Sequence, residues 1–164
     1  AASILRGVTI PPYGGDTQWT NLAAAFDALS SPFQQFVSGL RGVHQFSPPE
    51  GAQATDEYRQ LVRNRHLVTE HPLVTVHSET GEKVLYVSPG FLQRVVGVAP
   101  RESRVLLEYL WEHAVSSEFT VRFKWAPGSI AFWDNRATQH YAIQDYFPQI
   151  RRMMRATIVG TVPA

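Results

Sequence analysis

Ile130-Ala131-Phe132-Trp133-Asp134-Asn135-Arg136-Ala137-Thr138-Gln139-His140 opens on four apolar residues, turns polar at Asp134, and ends on an imidazole. The apolar run predicts a strand over Ser129–Trp133 that delivers the chain to His140. Two arginines, Arg151 and Arg155, follow in the next strand-like stretch. Side chains alternate along a strand, so residues four apart share a face. A metal-ligating residue type beside two permanently charged guanidinium groups describes a site that holds a metal and an organic acid together. Each residue also has a plainer reading. A lone histidine is usually a buried ring hydrogen-bonded to the backbone, and two arginines on an outer strand guard a sheet edge against pairing.

Working outward, the chain has 164 residues, 44% hydrophobic and 18% charged, which is the composition of a folded globular protein and sets an expectation of one domain. The net charge of +1 gives no electrostatic footprint for nucleic acid. No cysteine is present, which removes disulfides and thiolate metal sites and fits a cytoplasmic location. No apolar run is long enough for a membrane-spanning helix, so no membrane partner is expected. The first residues, Ala-Ala-Ser-Ile-Leu-Arg, read as the middle of a strand.

The pattern predicts a strand over Ala2–Ile10 and a turn at Tyr13-Gly14-Gly15-Asp16-Thr17. A helix is expected over Asn21–Leu29, capped by Thr20 or Asn21, with Leu22, Ala25, Phe26 and Leu29 inward. A second helix begins at Ser31-Pro32 and buries Phe33, Phe36, Val37 and Leu40. Ser47–Thr55 reads as a loop, and Glu57–Arg65 as a solvated helix face. Leu73–His77 and Lys83–Val87 form a hairpin around Glu79-Thr80-Gly81. Arg101–Ala114 is the clearest helix, with Val105, Leu106, Tyr109 and Leu110 as its apolar stripe. Strands are expected over Phe119–Trp125, Ser129–Trp133 and Met153–Val159. Short strands with a few helices argue for a mainly β protein with flanking helices, a sandwich or jelly roll.

An iron facial triad requires two histidines and a carboxylate. His77-Ser78-Glu79 has the spacing, but Glu79 leads into Thr80-Gly81-Glu82-Lys83, the composition of a hairpin tip. His44, His66, His71 and His113 have no partner at metal-binding spacing and are read as structural or solvated. Trp125, Trp133 and Phe91 are core residues by default, with a small-molecule pocket as the alternative.

Three blocks in order along the chain resemble the taurine dioxygenase family. They are Tyr13-Gly14-Gly15-Asp16-Thr17-Gln18-Trp19-Thr20, Val87-Ser88-Pro89-Gly90-Phe91, and Trp133–Tyr141 continuing through Arg151-Arg152-Met153-Met154-Arg155-Ala156-Thr157. The resemblance implies a double-stranded β-helix (jelly roll) incomplete at its N-terminus. It implies Fe(II) and 2-oxoglutarate as cofactors, O2 as co-reactant, and a small sulfonate as substrate. Hydroxylation next to sulfur would release sulfite and an aldehyde, with succinate and CO2 from 2-oxoglutarate. By position, His140 resembles an iron ligand, Thr17 and Arg151 resemble residues that bind 2-oxoglutarate, and Arg155, Phe91 and Trp133 resemble substrate-site residues. The family's His-X-Asp motif is expected upstream of Ala1, which makes this chain a C-terminal portion, inactive alone. Homo-oligomers are common in the family and set a further expectation. An alkyl sulfate ester dioxygenase and a non-catalytic jelly-roll binding or scaffold protein are the other readings.

Overall fold

The computed structural model describes residues 1–46, 56–64 and 67–160. Their chain order is β1 (Ala2–Thr9), β2 (Thr17–Asn21), α1 (Leu22–Asp27), α2 (Ser31–Ser38), β3 (Arg41–Gln45), α3 (Asp56–Asn64), β4 (Val68–Pro72), β5 (Val74–Val76), β6 (Lys83–Leu85), β7 (Leu92–Val95), α4 (Pro100–Ala114), a single 3-10 turn (Ser117–Phe119), β8 (Thr120–Phe123), β9 (Ile130–Asp134), β10 (Thr138–Ala142) and β11 (Arg152–Ile158). The protein is mainly β with flanking helices. The expected loop at Ser47–Thr55 and His66 lie outside the described residues. Among the described residues, no helix is long and apolar enough to cross a membrane.

The strands pair in the orders β11-β1-β9, β10-β2-β8, β4-β3-β7 and β5-β6. Strand β1 runs antiparallel to both neighbours, with Leu5 opposite Arg155 and Ser3 opposite Trp133. Strand β2 sets Trp19 opposite His140 and Thr17 opposite Ala142. Two cores result. One is mostly aliphatic and lies between the helices and β5–β7, built on Leu22, Phe26, Leu73, Leu85, Leu107 and Leu110. The other is the tryptophan trio Trp19, Trp125 and Trp133, joined by Leu5, Ala131 and Met153.

Helix α1 starts as expected, with the Asn21 side chain accepting the Ala23 and Ala24 backbone N–H groups at 3.0 and 3.1 Å. Two helical stripes differ from the expectation. In α2 Val37 is buried, whereas Phe36 is half exposed. In α4 the buried positions are Ser103, Leu107, Leu110 and Ala114, while Val105 and Tyr109 face out. The reason is Ser103, whose hydroxyl accepts the Val95 backbone N–H at 2.8 Å and anchors α4 to β7. A hydrophobicity count passes over a serine, so the apparent stripe is rotated relative to the real one. Tyr109 and Phe33 instead cover each other at the surface, with ring centroids 5.1 Å apart.

Two site residues also sit differently from the pattern. His140 lies inside β10, a strand the sequence did not announce, rather than at the end of the strand before it. Thr17 is the first residue of β2, just past the glycine turn.

Candidate active site

The inward face of β11 organises the site. Arg151 immediately precedes the strand, and Arg155 stands at its middle. Both turn toward the tryptophan trio, as the four-residue spacing predicts, and Met153 between them packs on the same cluster. The Arg151 guanidinium lies over Trp125 at 5.9 Å, and that of Arg155 over Trp133 at 5.8 Å. Trp19 bridges the two ends, 6.3 Å from Trp125 and 5.2 Å from Trp133.

At the first end, Thr17 is 1% exposed, and its hydroxyl accepts hydrogen bonds from Trp125 Nε1 at 2.9 Å and Arg151 Nη2 at 3.3 Å. Both lone pairs are thereby engaged, which leaves the Thr17 proton free to be donated. Arg151 Nε is buried and has no hydrogen-bond partner. Burial lowers the Arg151 pKa, with Tyr146 and Asp16 pulling the other way. A desolvated guanidinium with an unused N–H is short of an anion. The glycine turn makes room for it. Gly14 and Gly15 both have positive φ, and a Cβ on Gly15 would stand 2.9 Å from Arg151 Cδ. The Gly15 backbone N–H donates to Asp145 Oδ1 at 2.7 Å, which holds the turn in place.

At the second end, Arg155 Nη2 donates to Ser3 Oγ at 2.9 Å. Asn135 Nδ2 donates to the same oxygen at 2.9 Å, and Asn135 Oδ1 accepts Trp133 Nε1–H at 2.8 Å. The His140 ring meets Trp133 with centroids 5.1 Å apart. One side of His140 is open to solvent while protein packs around the rest. Burial, and then the Arg155 charge, lower its pKa and favour the neutral imidazole whose lone pair a metal requires. His140, Phe91 and Arg155 line one cavity of about 910 Å³, together with His44, Tyr86 and Thr138. Trp133 does not line it: the indole is 7% exposed and lies behind His140 and Arg155.

His77 is not available to a metal. Its Nδ1 accepts backbone N–H groups of Glu79 and Thr80 at 3.4 and 3.2 Å, which puts the ring proton on Nε2, 3.1 Å from Asp134 Oδ2. Glu79 pairs with Arg136 at 2.9 Å. Among the described residues no group of three or more histidines, cysteines or carboxylates could hold a metal. Thr17 and Arg151 thus carry the donor types that a carboxylate takes, but neither lines the cavity that His140 and Arg155 share, and for iron the more open of the two imidazoles in that cavity is His140, since His44 is buried.

Sequence reasoning missed Ser3, Asn135, Trp125 as a hydrogen-bond donor, and the clamp on Asp134. Asp134 accepts the Arg136 backbone N–H at 2.8 Å and its guanidinium, and with His77 it fixes the turn between β9 and β10. Arg136 first and foremost, with His77 adding to it, holds the Asp134 carboxyl well below the usual range against the opposing effect of burial. The one available signal was Asp134-Asn135, residues that bond their own backbone in turns, between two strand-like segments.

Residues 1–157 match the family described as taurine catabolism dioxygenase TauD, TfdA family. The chain belongs to that family. It is 39% identical over 99% of its length to an alpha-ketoglutarate-dependent sulfate ester dioxygenase of Pseudomonas putida, and covers 56% of that relative. It superimposes on the crystal structure of a taurine dioxygenase from Burkholderia xenovorans with a TM-score of 0.86 and 63% identity, over 99% of this chain and 53% of that one. A crystal structure of AAD-2 with Mn(II) and N-oxalylglycine has a TM-score of 0.85 at 31% identity, over 99% of this chain and 64% of that one. The chain thus spans about half the length of the curated relative it matches. Members of the family are Fe(II)- and 2-oxoglutarate-dependent dioxygenases.

Proposed function

We propose that the protein containing this chain is an Fe(II)- and 2-oxoglutarate-dependent dioxygenase. Its substrate is a small organic sulfur oxyanion oxidised at the carbon next to the sulfonate or sulfate ester. The chain forms most of one domain of the double-stranded β-helix type. The observation that carries this reading is the pairing of two anion sites on one strand face. Arg151 and Thr17 present unused N–H and O–H donors to one carboxylate, and Arg155 reaches the cavity that His140 lines.

When bound, iron and 2-oxoglutarate would supply the oxidising chemistry with O2, with succinate and CO2 as the products of the cosubstrate. This chain's residues do the positioning. Arg151 and Thr17 hold the far carboxylate of the cosubstrate and so fix the reach of its other end. His140 offers a neutral imidazole as one of the iron ligands. Arg155, held by Ser3 and stacked on Trp133, binds the substrate's anionic group and orients its neighbouring carbon. Phe91 lines the apolar part of the cavity. A sulfonate hydroxylated at that carbon collapses to an aldehyde and sulfite, and a sulfate ester to an aldehyde and sulfate.

A taurine-like sulfonate is the first reading. The sulfate ester is the second, supported by the similarity to the Pseudomonas putida enzyme as the first is by the similarity to the Burkholderia xenovorans one. Succinate formation by the full-length protein, assayed with Fe(II), 2-oxoglutarate and a panel of aminosulfonates, alkylsulfonates and alkyl sulfates, is the test. Stimulation by at least one class is expected. A protein that binds 2-oxoglutarate but is stimulated by no sulfur oxyanion would overturn the proposal.

A further inference from the structure

Among the described residues no carboxylate pairs with Arg151, although two stand at the glycine turn beside it. Asp16 and Asp145 turn instead to Arg122 of β8. Its Nε donates to Asp16 Oδ2 at 2.8 Å, and its Nη2 donates to Asp145 Oδ2 at 3.5 Å. The Asp16 bond is the stronger of the two. That side chain is only 14% exposed, and its hydrogen bond is the main reason the Arg122 pKa is raised. In the ladder between β2 and β8, Gln18 lies opposite Arg122 and Thr17 opposite Phe123. Alternation along the strands therefore puts Arg122 on the face that Thr17 does not use. The guanidinium thus engages both carboxylates from the far side of the sheet.

The same contacts join the segments that carry the Arg151 end. Asp16 precedes Thr17, and Asp145 lies in the stretch between β10 and β11 that leads to Arg151. Asp145 Oδ1 accepts the Gly15 backbone N–H, and the Asp16 carbonyl accepts that of Ile143 at 3.0 Å. A Cβ on Gly14 would collide with the Asp145 side chain, so the turn has no slack there. Asp16 is also close enough to Arg151 for its charge to favour the guanidinium. Carboxylates and guanidinium groups pair readily, and Arg151 Nε has no partner to give up. An unrestrained Asp16 would therefore be a built-in competitor for any anion that Arg151 binds.

We infer that Arg122 is a positioning residue for the cosubstrate: by engaging Asp16 and Asp145 from the far side of the sheet, it keeps Arg151 unpaired and open to a carboxylate. An Arg151 paired with Asp16 for about nine-tenths of the time would bind a dicarboxylate about tenfold more weakly, because only the unpaired fraction is competent. This rests on the reading that Arg151 and Thr17 hold 2-oxoglutarate, and it extends that site to a residue outside it.

The test is binding rather than turnover. Full-length protein loaded with Mn(II) is titrated calorimetrically with N-oxalylglycine. Arg122→Gln should weaken binding about tenfold. Adding Asp16→Asn to Arg122→Gln should bring the affinity back to within about threefold of wild type, because the competitor leaves together with the residue that restrained it. Arg122→Lys, which keeps a charge for the carboxylates, should lose less than Arg122→Gln. A clamp that merely holds shape predicts the reverse, with the double variant binding no better than the single one. That result overturns the inference, as does an Arg122→Gln variant that binds as tightly as the wild type. Arg122 is more than half exposed, so glutamine fits in its place. If that variant nevertheless does not fold, Asp16→Asn alone decides: loss of a competitor leaves or improves the affinity, and loss of a structural bond reduces it. A wild type that binds no N-oxalylglycine overturns both this inference and the cosubstrate reading. Proteins that follow the expected pattern but form no succinate with any substrate would refute the dioxygenase reading and leave this one standing.

Discussion

Arg151 and Arg155 are the same residue type, four positions apart, one just before β11 and one at its middle, each stacked on a tryptophan, yet they are prepared differently. Arg151 is half-buried beside a glycine turn, with one N–H unused and its charge penalised by desolvation. Arg155 is more open, and its guanidinium is tethered to Ser3. The first arrangement is costly without an anion and suits a ligand that is always the same. The second tolerates exchange, which suits a ligand that varies. The difference shows that two arginines four apart can be set at unequal depth simply by letting one precede the first ladder residue while the other sits within the ladder.

The sharpest way to break that comparison is to remove each arginine in turn from the full-length protein. Arg151→Ala should weaken 2-oxoglutarate binding by about 100-fold, the upper range for a partly desolvated charged hydrogen bond. Arg155→Ala should weaken the sulfur oxyanion by about 10- to 30-fold, less because its site is more open to water. The crossed effects, Arg151→Ala on substrate and Arg155→Ala on 2-oxoglutarate, should each stay within about threefold, since distant contacts are largely independent. Calorimetric titration of both ligands into both variants checks this. Equal losses of both ligands in both variants would remove the division of labour.

Thr17→Val tests a smaller part of the Arg151 end. It keeps the shape but removes the hydroxyl that accepts from Trp125 and Arg151. Loss of one donor to the cosubstrate and of the tether on Arg151 should raise the 2-oxoglutarate dissociation constant by about 5- to 10-fold. Substrate affinity measured in the same variant should be unchanged. A tryptophan fluorescence shift should accompany the change, because Trp125 Nε1–H loses its partner.

Legibility in the sequence divides along the same line. That Arg151 and Arg155 turn to the same side was readable because they are four apart and strands alternate, a rule that needs only one chain segment. The mainly β character, the Asn21 cap and the hairpin of β5 and β6 were readable for the same local reason. What could not be read depends on pairing. Ser3 reaches Asn135 and Arg155 only because β1 lies between β9 and β11, and no local pattern fixes that order. His44 seemed an isolated histidine until β3 was placed beside β7, which carries the chain past Phe91. The α4 stripe was misread because Ser103, polar by type, is buried through its bond to Val95. His77-Ser78-Glu79 had metal-binding spacing, but the turn folds backbone N–H groups onto one nitrogen and presents Asp134 to the other.

The smallest expected effect concerns the turn that joins the two halves of the comparison. Asp134 ties His77 and Arg136 together, and its neighbour Asn135 holds Ser3, so the clamp bears on the Arg155 end and not on the Arg151 end. Asp134→Asn should therefore raise the substrate dissociation constant about two- to threefold while leaving 2-oxoglutarate alone, the scale of a lost positioning contact. The same variant carries a pH signature. The folded carboxyl titrates below its unfolded value of about 3.9, so its contribution is fully present above that value and disappears as the pH falls through it toward the folded pKa. At pH 7 the variant should melt about 3 °C below the wild type, the shift that about 1 kcal/mol gives in a protein of this size. The gap should close progressively below about pH 4, as the wild-type carboxylate takes up its proton. Melting curves of both proteins from pH 7 to pH 3 measure it. A gap that stays constant across that range would mean the Asp134 charge does not hold the turn, and that its shape alone does.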